Sequence, residues 1–231
     1  AIADGITVVY KNKSKAGDGF EYVYHRGNET IAVHMDYPGE QLLPLNPNDG
    51  SIISKVNSFV DKKHLQFMFD RVLPRTLYGI ESNFVEENPL KVTELTDGYI
   101  LKPNEIKLFA NDKAGKAGRS KWYVADKSII ESGKEYLSEW QVVVSSANAG
   151  GQKRDNQIEI IDNHSAFGRS RVALGSFKTE KEAVNFYHYC KTTLIRFMFL
   201  MTDEALTSLG KKVPDIMDYS GQNSLVDFKK D

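Results

Sequence analysis

Apolar and polar positions alternate over short stretches through most of this chain, and helical spacing enters at only a few places. Residues 6–10 form an apolar, β-branched run. Residues 20–25 alternate, Gly27 and Asn28 turn the chain, and residues 31–37 supply a further strand. Asp49 or Ser51 can cap a helix beginning near Ile52, with Val56, Phe59 and Val60 at helical spacing, and a second short helix is expected over 64–72, ending before Pro74. From Tyr99 onward strands dominate. Residues 98–102 and 106–110 are expected to pair around Pro103 and Asn104, and 122–124 is a further extended segment.

Trp140, Val142 and Val144 share one face of a strand, and Gln141, Val143 and Ser145 the other. Residues 158–161 and 171–177 add two strands, whereas Ala149-Gly150-Gly151 and the surroundings of Gly168 read as mobile loops. Thr179, with Glu182 three positions on, forms a capping box. Ala183, Phe186, Tyr187, Cys190, Leu194, Phe197, Met198 and Met201 then recur at helical intervals, which predicts one long helix over 180–201 with a buried apolar end. The pattern as a whole predicts an α+β fold, a β-rich mixed or antiparallel sheet braced by that long C-terminal helix. Two parts are expected, residues 1–76 and 77–231.

The chain has 231 residues, of which 41% are hydrophobic and 26% charged, ordinary for a globular protein. No apolar run has the length of a membrane-spanning helix, since the most apolar stretch, 194–201, is short and interrupted by Arg196. No secretory signal is read at its start, and the opening at Ala1 is taken as a cut within a longer protein. The single cysteine, Cys190, excludes an internal disulfide framework and fits a reducing, cytoplasmic setting. Net charge is −1, yet residues 101–200 carry 16 basic against 11 acidic side chains. The middle of the chain is therefore where a polyanion would bind.

Within it, Lys113, Lys116, Arg119 and Lys121 share a glycine-containing segment able to follow a phosphate backbone. Lys153 and Arg154 sit in a second loop, and Arg169 and Arg171 flank the start of a strand, where an arginine can also grip guanine. These eight are the candidate DNA-binding residues; a solvated surface loop is the competing reading. Trp122 and Trp140, both in strand patterns, are assigned to the core rather than to base stacking.

Other chemistry is thinly represented. Gly17-Asp18-Gly19 lacks the third glycine and the helix of a dinucleotide fingerprint, and there is no Walker loop. The five histidines show no ligand spacing. Asn46-Pro47-Asn48 and Asn88-Pro89-Leu90 lack the second proline and the aromatic residue of the loop that holds a flipped adenine. Pro214-Asp215 followed by Asp227-Phe228-Lys229 matches the loose spacing of a metal-dependent nuclease, with Asp215, Asp227 and Lys229 as its site. A non-catalytic protein-interaction module is the other alternative.

Several strings, in order, resemble one family. They are Tyr78-Gly79-Ile80-Glu81-Ser82-Asn83-Phe84, Trp140-Gln141-Val142-Val143-Val144-Ser145-Ser146-Ala147 and Gly175-Ser176-Phe177-Lys178-Thr179-Glu180-Lys181-Glu182-Ala183. Lys191-Thr192-Thr193-Leu194-Ile195-Arg196-Phe197 follows, and Val213-Pro214-Asp215 with Asp227-Phe228 closes the series. Together they resemble the C-terminal target-recognition region of one-chain type II restriction–modification enzymes, which join a nuclease, an adenine-specific DNA methyltransferase and a recognition domain. The resemblance implies double-stranded DNA as partner for 77–231, and makes 1–76 similar to the tail of a methyltransferase core. S-adenosylmethionine and Mg²⁺ are implied for the parent enzyme only. This chain itself is expected to hold no cofactor, no metal and no catalytic residue, and to work beside the missing methyltransferase domain, away from membranes.

Overall fold

The computed structural model describes residues 8–10, 17, 19–35, 46–115, 117–146, 158–201 and 209–228. Two compact units divide the chain, residues 1–50 and 51–231. The expected boundary at 76 moves forward because the segment 51–76 packs into the larger unit: Ile53, Val56, Val60 and Met68 share a core with the strands and helices that follow.

In the smaller unit, β1 (Phe20–Arg26) pairs antiparallel with β2 (Glu29–Met35), as the alternation predicts. Phe20, Tyr22 and Tyr24 oppose Met35, Val33 and Ile31 in register. Gly27 takes a φ of +58° in the two-residue loop, a conformation that hairpin loops require and glycine supplies without strain. The strand expected over 6–10 lies partly outside the described residues, and Val8, Val9 and Tyr10 belong to no element.

The larger unit is layered. Helix α1 (Gly50–Lys63) follows a 3-10 turn, Pro47–Asp49, which is capped by Asn46 Oδ1 accepting from Asn48 N at 3.0 Å. The cap thus lies upstream of Asp49 and Ser51. Instead of a helix over 64–72, the chain forms a short strand β3 (Gln66–Phe67) and a 3-10 turn, Met68–Arg71. A single turn of helix, α2 (Phe84–Glu87), then leads to strand β4 (Val92–Glu94).

Strands β5 (Glu105–Asn111) and β6 (Ser120–Asp126) are the centre of a four-stranded sheet ordered β4-β6-β5-β9, with β9 (Ser165–Phe167) parallel to β5. Residues 98–102 are not a strand. The partner of β5 is β6, which sets Phe109 opposite Trp122 with the rings stacked at 4.8 Å.

A second sheet is ordered β10-β7-β8, all antiparallel, from β7 (Trp140–Ser145), β8 (Ile158–Ile161) and β10 (Arg171–Phe177). It is covered on both faces, which explains its unbroken apolar runs. Val142, Val144, Val172 and Leu174 pack with the helices, whereas Val143, Ala173 and Ile161 pack with the first sheet. Gln141, fully buried on the latter side, donates through Nε2 to Tyr78 Oη at 2.6 Å and to Tyr136 O at 3.1 Å. Gly168, expected in a mobile loop, is instead buried in a tight link: its N–H donates to Phe109 O and that of Arg169 to Ile80 O.

The capping box forms as the sequence predicts. Thr179 Oγ1 accepts from Glu182 N and Glu182 Oε2 accepts from Thr179 N, both at 3.3 Å. The long helix does not: α3 (Glu180–Lys191) ends at Thr192, whose ψ of 150° is extended, and α4 (Thr193–Leu200) restarts in a new direction. The break lets Ile195, Met198 and Phe199 reach the core, while Leu194 and Leu200 stay exposed. Thr179→Ala is expected to lower stability by about 1 kcal/mol in urea unfolding, because both box hydrogen bonds go at once. The last strand, β11 (Pro214–Asp215), pairs antiparallel with β3.

Candidate nucleic-acid interface

The C-terminal ends of β5 and β7 and the N-terminal ends of β6 and β10 meet at one edge of the two sheets. A cleft of about 540 Å³ opens there. Arg75, Arg169 and Arg171 line it, and so do the hydroxyl-bearing Ser120, Ser145 and Ser170. One wall is the backbone of the β5–β6 loop at Gly115 and Gly118, the loop that carries Lys113 and Arg119. Sequence-distant cations therefore converge on one hydroxyl-rich groove.

Local hydrogen bonds give the loop its shape. Asp112 N donates to Arg119 O at 2.9 Å, Arg119 N donates to Asp112 Oδ1 at 2.8 Å, and Gly118 N donates to Gly115 O at 3.1 Å. The Arg119 amide is the main reason the Asp112 carboxyl stays below its ordinary range. Ala114 N donates to Glu86 Oε2, tying the loop to α2. Lys113 and Arg119 are exposed on it. Of the other candidates, Lys116, Lys153 and Arg154 lie outside the described residues.

Lys121 is not brought to the cleft. It faces the opposite side of β6 from Ser120 and pairs with Glu94 at 3.1 Å, a bond that raises its ammonium above the ordinary range. Arg171 is at the cleft but is largely structural. Its guanidinium lies 4.7 Å over the Phe109 ring and pairs with Glu159 at 3.4 Å. Burial pulls its pKa below the ordinary value, and Glu159 pushes back. Its Nε and the Ser170 hydroxyl are buried with no hydrogen-bond partner among the described residues. Arg169 reaches further out and pairs with Glu81 at 2.7 Å.

Arg75 escaped the sequence reading. It is exposed and has no ion-pair or hydrogen-bond partner among the described residues. Only its position just after Pro74, in a segment held to β10 by Leu73 N donating to Ala173 O, brings it here. Trp122 and Trp140 are half-buried and line a separate cleft of about 390 Å³ with Lys107 and Asp162, so neither is wholly core.

Within the nuclease-like set, Asp215 has a structural job. Asp215 is 2% exposed, and its oxygens are taken: Oδ2 accepts from Arg71 Nε at 2.7 Å, and Oδ1 from Met217 N and Tyr219 Oη, both at 2.9 Å. Such a carboxylate has no coordination site to offer a divalent cation. Asp227 is exposed and Lys229 lies outside the described residues. No cluster of three or more potential metal ligands occurs among the described residues. Cys190 is fully buried, and burial pushes its thiol up, as expected of a small core residue.

Among the described residues, no helix is long and apolar enough to cross a membrane. No model of a known protein family matches the chain, and neither does any curated protein or solved structure.

Proposed function

We propose that this chain recognises double-stranded DNA, as the target-recognition part of an adenine-specific restriction–modification methyltransferase with a linked endonuclease. One observation carries the reading: Arg75, Arg169 and Arg171 share a serine-lined groove with the loop that bears Lys113 and Arg119. Arginine forks and hydroxyls are the groups that grip phosphate oxygens and hold a protein in register on a duplex. The strings that resemble the restriction–modification family point the same way, since Glu81, Ser82, Ser145 and Ser146 stand at or beside this groove.

Methyl transfer and cleavage belong, in this reading, to a partner domain of the same parent chain that holds S-adenosylmethionine and Mg²⁺. The fragment positions the duplex and does no chemistry. A cytoplasmic setting goes with that role and with the single buried Cys190.

Fluorescence anisotropy with a labelled duplex tests the proposal. Binding at low salt whose affinity falls steeply and log-linearly as salt rises is the expected result. Absence of salt-sensitive binding at low ionic strength would refute it.

A further inference from the structure

Two of the three groove arginines are already neutralised from within. Arg171 is paired with Glu159 in a half-sealed setting, the side chains being 13% and 31% exposed. Arg169 and Glu81 are 41% and 49% exposed, so their bond can open without stranding either charge. An ion pair that exposed adds little to stability. Its geometry is nevertheless well defined. Arg169 N donates to Ile80 O at 2.8 Å, which holds the residue before Glu81 against the backbone of Arg169, and Gly168 packs against Ile80 with no side chain between. The carboxylate thus sits where an incoming oxyanion would approach the guanidinium.

We infer that Glu81 is an internal stand-in for a DNA backbone phosphate at Arg169, displaced when the duplex binds. This rests on the DNA reading above. A carboxylate and a phosphate oxygen pair present the same acceptor geometry to a guanidinium fork. Displacing Glu81 opposes binding in two ways: the ion pair is broken, and the freed carboxylate gathers cations just as the phosphate releases them. The device raises the threshold for DNA contact at this arginine and flattens the salt dependence of binding.

A double-mutant cycle on the full chain tests this, with anisotropy of a fluorescein-labelled duplex followed across a salt series. Glu81→Gln is expected to tighten binding about three- to fivefold at low salt, the scale of an exposed pair. It should also steepen the slope of log K against log salt by up to about one. In an Arg169→Ala background the same substitution is expected to change neither. A gain of equal size in both backgrounds would mean only that a negative charge near DNA was removed, and it would overturn the inference, as would no gain in the wild-type background. If no variant binds DNA in a salt-sensitive way, the DNA reading fails first and the inference with it.

Discussion

Asp215→Ala is expected to destabilise the larger unit by about 3–5 kcal/mol, because it leaves the Arg71 guanidinium without its counter-charge at a largely buried site. The side chain of Arg71 is 22% exposed, its Cζ lies 5.3 to 5.9 Å from the ring centres of Phe177, Phe186 and Tyr219, and its fork reaches Asp215 from 144 positions away. Gly175 makes room for it, since a Cβ there would meet Arg71 Cδ at 2.9 Å. Tyr219 Oη also loses its acceptor in the variant. The melting temperature should fall by on the order of 10 °C.

Arg71→Lys is expected to be nearly as damaging, since an ammonium cannot satisfy both carboxylate oxygens while lying against three aromatic rings. Thermal and urea unfolding without any added divalent cation measure both variants. A stable Asp215→Ala protein under those conditions would remove the structural role assigned to this carboxylate and reopen its use as a metal ligand.

On the proposed DNA reading, the combined replacement of Arg75, Lys113, Arg119 and Arg169 by alanine is expected to weaken duplex binding on the order of 100-fold or more, since each substitution would remove a charge-assisted hydrogen bond to the backbone. The slope of log K against log salt should flatten by about one for every phosphate that is no longer neutralised. Lys121→Ala is the informative control. Its partner is Glu94, on the far side of β6 from the groove, so it should lose less than about threefold, the scale of an exposed ion pair and a screened charge. Stability should change little in either case because all five side chains lie at or near the surface. Equal losses from Lys121→Ala and from the fourfold variant would show that net charge alone governs binding and that the groove does not hold the duplex.

How much of this was legible beforehand depends on the range of the forces involved. The β1–β2 hairpin, the two-faced β7 and the Thr179–Glu182 box were readable because alternation, turn conformation and capping are decided within a few residues. The basic character of 113–121 was equally visible, whereas its wall position was not. Arg119 precedes β6 in the loop that walls the cleft, whereas Lys121 lies on β6 and is held by Glu94, a pairing set by how β4 docks on β6.

The break at Thr192 was hidden for a related reason. The apolar period runs through it, but Ile195, Met198 and Phe199 reach a core shared with α1 and β10 only if the axis turns there. Pro214-Asp215 carried a nuclease-like spacing until the fold placed Arg71 against it. The sequence by itself thus determined the α+β class, most local elements and the stock of cations. Only the tertiary structure decided which charges neutralise one another, which converge on the groove, and that Arg75 is among them, because long-range pairing is set by how apolar faces distant in the chain pack together.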